Sequence, residues 1–139
     1  MKILIMGLPG SGKTYLAQRI QEKVGCAWFN ADEVRRMAND WEFSEEARLR
    51  QAGRMLNIAN YEKSHGRTVI CDFVCPTEQT RNIFNADIII WMDTISEGRF
   101  ENTNQIFKAP DDWDIRIDKF LTDDEIDEII RVLKEEYYV

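Results

Sequence analysis

Residues 7–14 read Gly7-Leu8-Pro9-Gly10-Ser11-Gly12-Lys13-Thr14 and match the pattern G-x-x-x-x-G-K-[ST]. It lies between a short apolar run, Lys2 to Met6, and a segment from Lys13 to Val24 whose apolar residues recur at helical spacing. A strand, a glycine-rich loop and a helix in this order are the context that the pattern requires. The chain is therefore predicted to begin with a strand, a phosphate-binding loop (P-loop) and a helix.

The loop predicts a site for a triphosphate and a metal ion. Its glycines let the backbone curl so that successive N–H groups face one anion, and the start of the helix adds the positive end of its dipole. Lys13 is expected to reach the β- and γ-phosphates as a point charge, and the Thr14 hydroxyl to ligate Mg²⁺. ATP and Mg²⁺ are therefore the expected cofactors. The residues predicted to contact the nucleotide are Gly7, Pro9, Gly10, Ser11, Gly12, Lys13, Thr14 and Tyr15.

Strands and helices alternate along the rest of the chain. Further strands are predicted from Cys26 to Phe29, Thr68 to Asp72, Asp87 to Met92 and Trp113 to Ile117. Helices are predicted from Ala31 to Asn39, from Ser44 towards Gly66, from Pro76 to about Asn85, and after a capping box of Thr122 and Glu125. This alternation predicts an α/β fold with three layers, in which helices cover both faces of a five-stranded parallel sheet, as in P-loop NTPases.

The length and one polar segment set the expected domain organisation. The 139 residues suffice for one domain, so residues 1–139 are expected to form a single P-loop domain. From Asp93 to Asp112 the sequence is polar and has no sustained period, which predicts a long loop. Loops of this length in compact domains are often functional, and residues 94–112 are therefore expected to form a lid or substrate loop.

Composition argues against several functional classes. The chain has 25 Asp and Glu against 18 Lys and Arg, and its net charge of −7 opposes non-specific binding to nucleic acid. No apolar run approaches the roughly 18 residues that a membrane helix needs, so no membrane partner and a cytoplasmic location are expected. The three cysteines, Cys26, Cys71 and Cys75, lack paired spacing, which argues against a disulfide framework or a zinc site.

Two carboxylates follow predicted strands, at the edge where parallel sheets bind ligands. Asp72 ends the third strand and Asp32 follows the second. Either side chain could hold a metal-bound water or accept a proton from an attacking hydroxyl, and Asp32 could also cap a helix. The two roles stay exchangeable at this point. The predicted catalytic residues are Lys13, Asp32 and Asp72, and the predicted metal ligands are Thr14 and one of the two carboxylates, with Asp72 at the strand end next to the loop.

Three further stretches contain motifs of one kinase family. Residues 30–35, N-A-D-E-V-R, stand where that family has D-G-D-x-x-R, and residues 43–51, F-S-E-E-A-R-L-R-Q, are similar to F-S-x-x-D-R-x-x-N. Residues 73–76, F-V-C-P, are similar to F-I-S-P, and Phe107 to Pro110 more weakly to Y-E-x-P. With residues 7–14, these stretches resemble the adenylylsulfate kinases, which use Mg-ATP to phosphorylate the 3'-hydroxyl of adenosine 5'-phosphosulfate. The resemblance implies a sheet of adenylate-kinase-like strand order.

The resemblance also implies roles for individual residues. Asp32 corresponds to the candidate base and Arg35 to a substrate contact. Phe43 would stack on the substrate adenine, and Arg48 would hold its phosphosulfate group. The residues that the resemblance places against the substrate are Asp32, Arg35, Phe43, Arg48, Gln51, Phe73, Val74, Cys75 and Phe107.

The chain departs from the family pattern mainly where the acceptor would bind. Asn30 replaces the first Asp of D-G-D, Gln51 an Asn and Cys75 a serine, while Tyr15 replaces a second small hydroxyl residue. Asp72 stands where the family has a small residue, and it resembles the metal-water carboxylate that adenylate kinases have at the end of this strand. The lid is shorter and lacks the family's basic run R-D-x-K-G-L-Y-K.

The leading hypothesis is a Mg-ATP-dependent small-molecule kinase that acts on the 3'-hydroxyl of adenosine 5'-phosphosulfate, a nucleotide. One alternative is a P-loop kinase for another nucleotide, a sugar or a polynucleotide 5'-hydroxyl, although the negative net charge disfavours the last. The other is a non-catalytic nucleotide-binding module whose short lid no longer excludes water. A homodimer is left open.

Overall fold

The computed structural model describes residues 1–139, and its five strands form one parallel sheet. The strands are β1 (Lys2–Met6), β2 (Ala27–Asn30), β3 (Val69–Asp72), β4 (Ile88–Met92) and β5 (Ile115–Ile117). The helices are α1 (Lys13–Val24), α2 (Ala31–Ala38), α3 (Glu45–Ser64), α4 (Glu78–Phe84), α5 (Glu101–Ile106) and α6 (Asp123–Glu136). The strand order β2-β3-β1-β4-β5 confirms the predicted α/β fold and its adenylate-kinase-like order. None of the helices is both long and apolar enough to cross a membrane.

The sheet separates two hydrophobic cores. On one face, Ile5 of β1 packs in a cluster with Leu16 of α1 and Leu133 of α6. On the other face, Leu4 of β1 packs in a cluster with Met55 of α3. Because successive side chains of a strand point to opposite faces, neighbouring residues of β1 belong to different cores. Helices therefore cover both faces, which explains why the strands are nearly continuous apolar runs.

The strand register brings distant residues to one edge of the sheet. Ile5 of β1 lies opposite Asp72 of β3, and Asp72 lies opposite Asn30 of β2. Helix α1 begins a few residues after β1, and helix α2 begins directly after β2. The carboxyl ends of parallel strands form the binding edge of such sheets, so the loop at residues 7–12 lies beside the ends of β2 and β3.

Two predicted boundaries are corrected. The segment 94–112, predicted as a loop, contains the helix α5. Its sequence E-N-T-N-Q-I is mostly polar and only Thr103 is buried, so the helix shows no apolar period in the sequence. The helix predicted from Pro76 begins at Glu78, because Thr77 caps it and forms a reciprocal capping box with Thr80.

Candidate functional site

The glycines of the loop are required by its backbone geometry. A Cβ atom on Gly7 would lie 2.6 Å from the carbonyl oxygen of Met92, so only glycine allows β4 this close. Gly10 and Gly12 have φ angles of 87° and 98°, a region that side-chain-bearing residues rarely adopt. Gly12 is the N-cap of α1 and offers no side-chain cap, so the first N–H groups of α1 have no side-chain acceptor. These donors fit an anion such as a phosphate group.

The Lys13 ammonium group is held within the loop. Its side chain is buried, and Nζ donates a hydrogen bond to the Leu8 carbonyl oxygen at 2.9 Å. Burial lowers the pKa of Lys13 to about 8, although the charges of Asp72 and Asp32 partly oppose this shift. The pKa of Lys13 therefore lies much closer to neutral pH than that of an exposed lysine. An anion in the loop would raise this pKa, because it favours the charged form.

Asp72 is a buried carboxylate surrounded by donors. Its Oδ2 atom accepts a hydrogen bond from Trp28 Nε1 at 2.6 Å. Its Oδ1 atom accepts hydrogen bonds from Asn30 Nδ2 at 3.0 Å and from Thr14 Oγ1 at 3.4 Å. Burial raises the pKa of Asp72, and the hydrogen bonds from Trp28, Asn30 and Thr14 and the charge of Lys13 oppose that shift.

The pair formed by Thr14 and Asp72 fits a magnesium ion. No group of three or more His, Cys, Asp or Glu side chains forms a metal site made of protein ligands alone. Mg²⁺ commonly keeps several waters and takes one or two protein oxygens together with phosphate oxygens. A hydroxyl and a carboxylate oxygen 3.4 Å apart, beside the phosphate-binding loop, suit that mode of binding.

A cavity of about 620 Å³ extends from the loop across to α2, α3 and α5. It brings together most of the residues predicted from the sequence, which come from separate segments of the chain. The predicted residues that line it are Pro9, Gly10, Lys13, Thr14, Asp32, Arg35, Phe43, Arg48, Gln51, Asp72, Phe73, Val74 and Cys75.

Two arginines surround the aromatic ring of Phe43 in this cavity. The guanidinium carbon atoms of Arg35 and Arg48 lie 4.5 and 5.5 Å from the Phe43 ring centroid. Arg35 Nη1 donates to the carbonyl oxygens of Asp40 at 3.1 Å and Glu42 at 2.9 Å. Burial lowers the pKa of both arginines, which nevertheless stay charged. The arrangement offers a flat apolar surface next to positive charge.

Arg48 also connects the acceptor side of the cavity with α5. Its Nε atom donates to the Phe43 carbonyl oxygen at 2.9 Å, and its Nη2 atom lies 3.4 Å from Thr103 Oγ1. Because Arg48 belongs to α3 and Thr103 to α5, this side chain fixes the two helices across the cavity.

Some predicted residues do not line the cavity. Gly7, Ser11 and Gly12 belong to the loop but do not face the cavity. Tyr15 points towards α6, where its hydroxyl donates to Asp123 Oδ1 at 2.6 Å. The Phe107 ring lies 5.6 Å from the Arg81 guanidinium and does not line the cavity, so its predicted contact with the substrate stays a prediction.

The chain after α5 is bonded to the loop that precedes α4. Lys108 N donates to the Pro76 carbonyl oxygen at 2.8 Å, and Arg81 Nη2 donates to the Lys108 carbonyl oxygen. These bonds keep residues 107 and 108 beside the start of α4.

Sequence reasoning missed several residues that line the cavity, among them Trp41, Arg99, Asn102 and Thr103. Trp41 is half exposed, which is unusual for so large an apolar side chain and marks it as part of the cavity rim. Arg99 has no carboxylate within ion-pair distance, whereas most arginines of this chain have one. An arginine next to a phenylalanine, Arg99-Phe100, within a polar segment is the sequence signal that could have indicated the side of the cavity formed by residues 99–103.

Comparisons with known proteins agree with this geometry. A model of a family described as "AAA domain" matches residues 3–103. A probable adenylyl-sulfate kinase from Aeropyrum pernix is 34% identical over 90 residues, which are 58% of this chain and 48% of that protein. The match therefore spans about half the length of this curated relative.

Solved structures with the same fold are also kinases. The APS kinase of Mycobacterium tuberculosis, in complex with AMPPNP and APS, has a TM-score of 0.81 at 19% identity and covers 96% of this chain and 97% of that one. Shikimate kinase from Aquifex aeolicus has a TM-score of 0.70 at 14% identity and covers 99% of both chains. Identities this low show the shared fold alone. With the family match and the sequence relative, they lead to one conclusion: the chain belongs to the family of that AAA domain model, has the P-loop kinase fold and is similar in sequence to a probable adenylyl-sulfate kinase.

Proposed function

We propose that this protein is a kinase that uses Mg-ATP to phosphorylate the 3'-hydroxyl of adenosine 5'-phosphosulfate. One observation carries the proposal: a single cavity joins the P-loop with Lys13 to the ring of Phe43 and its two arginines. The first half suits a triphosphate, and the second suits a ligand with both a base and an anionic group. The similarity to adenylyl-sulfate kinases supports this acceptor.

The residues of the cavity divide the chemistry among them. Lys13 and the N–H groups at the start of α1 bind the phosphates and stabilise the charge that develops on the transferred group. Thr14 and Asp72 hold the magnesium ion, which supplies further neutralisation of phosphate charge when it is bound. Asp32 lies on the exposed side of the same cavity, where its carboxylate can accept the proton of the attacking hydroxyl.

The acceptor is oriented by Phe43, Arg35 and Arg48. The face of Phe43 stacks on the base, and the guanidinium N–H groups that do not donate to the backbone bind the phosphosulfate. Residues 94–112 act as a lid over the acceptor, because Arg99, Phe100 and Thr103 line the cavity from that side.

A second candidate is a kinase for a different hydroxyl acceptor, such as another nucleotide or a sugar. It is favoured by the contacts of Arg35, since two backbone carbonyls occupy its Nη1 donors and fewer N–H groups remain for an anion. The short lid also removes the basic run that the similar family has.

A panel of acceptors with labelled ATP separates these functions. We expect the highest kcat/KM for adenosine 5'-phosphosulfate among nucleotides, sugars and 5'-hydroxyl oligonucleotides. Equal or better turnover of another acceptor would establish the second candidate. Tight ATP binding without transfer to any acceptor would instead indicate a nucleotide-binding module.

We further propose that residues 1–139 form a single domain and that the protein is cytoplasmic. A single domain should unfold in one cooperative transition. A cytoplasmic location is checked by cell fractionation. Light scattering of the purified chain decides whether it forms a homodimer.

A further inference from the structure

The Asp72 carboxylate is held by two donors from strand β2. Its side chain is almost fully buried, with Oδ2 bonded to Trp28 Nε1 at 2.6 Å and Oδ1 bonded to Asn30 Nδ2 at 3.0 Å. An indole N–H and an amide NH₂ group can only donate, so each of these bonds needs an acceptor oxygen. Together they fix the rotation of the carboxylate group, with one oxygen on Trp28 and the other facing Asn30 and Thr14.

The orientation of the Asn30 amide is set independently by helix α2. Asn30 is the N-cap of α2, and its Oδ1 atom accepts a hydrogen bond from Glu33 N at 3.1 Å. Because Oδ1 is engaged there, Nδ2 faces β3, where it lies 3.0 Å from Asp72 Oδ1 and 3.3 Å from Thr14 Oγ1. A carboxylate at residue 30 would keep the cap but would add a second negative charge beside Asp72.

Residues 30 and 72 occupy equivalent places around the Thr14 hydroxyl. They are opposite each other in the register of β2 and β3. Their side chains lie 3.3 and 3.4 Å from the same Thr14 Oγ1 atom. An acid on either strand therefore reaches the same point, and the partner residue must then be uncharged and able to donate.

We propose that residues 30 and 72 form one exchangeable acid–amide pair at the magnesium site, and that Asn30 and Trp28 are positioning residues that direct Asp72 Oδ1 towards Thr14. This inference rests on the proposed function, because it concerns the same magnesium ion. It links two departures noted in the sequence: an amide replaces the acid expected at residue 30, and an acid replaces the small residue expected at residue 72. Each change accommodates the other.

Magnesium-dependent binding of fluorescent ADP tests the exchange without measuring catalysis. Asp72→Asn should raise the Mg²⁺ concentration for half-maximal enhancement of ADP binding by about 10- to 100-fold. The double variant Asn30→Asp with Asp72→Asn should return it to within about threefold of the original protein, since the acid again lies beside Thr14 and the α2 cap is kept. A double variant no better than Asp72→Asn alone overturns the exchange.

Trp28 is tested with a matched pair of tryptophan variants. Trp28→Phe keeps an aromatic ring packed against the core but removes the N–H donor, and it should raise the Mg²⁺ requirement by about tenfold. Trp113→Phe is the control, because Trp113 packs at a tilted angle against Trp91, 5.4 Å between ring centroids, and does not line the cavity. If the two variants respond alike, Trp28 is not a positioning residue.

The contact itself has a readout in the protein without ligands. The chain has four tryptophans, and Trp28→Phe identifies the indole N–H resonance of Trp28 in a nitrogen-15 spectrum. Asp72→Asn should shift that resonance, because the charged acceptor 2.6 Å away is lost. An unchanged resonance overturns the inference even if a variant fails to bind ADP.

Phosphoryl transfer and the Mg²⁺ response of ADP binding are measured separately, and they test the kinase activity and the acid–amide pair respectively. Normal phosphoryl transfer without rescue by the double variant refutes only the acid–amide pair. A restored Mg²⁺ response without transfer to any acceptor supports the pair and refutes the kinase proposal.

Discussion

The two halves of the cavity are built in different ways. The phosphate-binding half is one continuous stretch, Gly7 to Thr14, whose shape depends on glycine conformations and on close contact with β4. The acceptor half is assembled from side chains of α2, α3, the connection between them and the segment around α5. Its aromatic residues Trp41, Phe43 and Phe100 are about half exposed. A local motif can therefore specify phosphate binding. The choice of acceptor depends instead on tertiary contacts, which can change while the fold stays the same.

The largest effect is expected in the phosphate-binding half. Lys13→Ala should lower phosphoryl transfer by roughly a thousandfold or more, because it removes the charge that stabilises the transferred group. Lys134→Ala, an exposed substitution in α6, is the control and should leave turnover unchanged. Single-turnover kinetics and circular dichroism measure transfer and folding. Normal turnover by Lys13→Ala would contradict the assigned role of the loop.

Asp32→Asn tests the point where the two halves meet. It should lower the chemical rate by roughly a hundred- to ten-thousandfold, because the attacking hydroxyl loses its proton acceptor. Nucleotide affinity should change little, since Asp32 acts on the loop only through the weak effect of its charge on Lys13. Rapid-quench kinetics and a binding titration separate the two quantities. A shifted magnesium requirement in Asp32→Asn, together with an unshifted one in Asp72→Asn, would mean that the two residues exchange roles.

The phosphate-binding half should also respond to pH. The pKa of Lys13 is lowered to about 8 by burial, so Lys13 is charged below that pH and becomes neutral above it. A triphosphate binds the charged form, and affinity should therefore be constant below pH 8 and fall by about tenfold per pH unit above it. Binding titrations between about pH 6.5 and about pH 9.5 measure how the affinity for ATP depends on pH. Lys13→Ala should bind more weakly but show no such fall.

The acceptor half should tolerate substitution better. Arg48→Lys keeps the charge but loses the paired N–H donors, so KM for the acceptor should rise by about tenfold while KM for ATP stays constant. Arg36→Lys is the control, because Arg36 is exposed and its carboxylate partner is Glu33 at 2.9 Å. A parallel rise in KM for ATP would place Arg48 in the wrong half.

The smallest effects are expected from two helix caps. Thr122→Ala and Ser44→Ala each remove a hydroxyl that accepts a backbone N–H at 3.2 Å, from Glu125 and Ala47 respectively. Each should lower the free energy of unfolding by about 1 kcal/mol. Only Ser44→Ala, next to Phe43, should also raise KM for the acceptor. Denaturant titration and steady-state kinetics compare the two variants.

The phosphate-binding half could be predicted because its signals are local in sequence. The G-x-x-x-x-G-K-[ST] pattern and the apolar runs around it determine where the loop lies, and the capping box of Thr122 and Glu125 was equally readable. Helix α5 could not be predicted from periodicity, since six mostly polar residues bury a single side chain. The resemblance predicts Phe107 against the substrate, but the sequence shows no sign of the bond from Lys108 N to the Pro76 carbonyl oxygen next to it.

The contacts of Asp72 lay beyond the reach of sequence reasoning. Trp28 and Asn30 are separated from Asp72 by 44 and 42 residues, and only the register of two neighbouring strands brings them together. Sequence patterns predict that a strand exists, but a shift of one residue in pairing would turn these side chains to the opposite face.

The central position of β1 determines when the loop can become functional as the chain folds. Strand β1 pairs with β3 and β4, so its partners are Val69–Asp72 and Ile88–Met92. Pairings this distant in sequence form slowly, because the entropy of closing the chain is lost before the contacts are gained. During synthesis residues 7–14 are made long before both partner strands, since the N-terminal part emerges first. Because Gly7 packs closely against Met92 of β4, a nucleotide is expected to stabilise mainly the sheet that already includes β4.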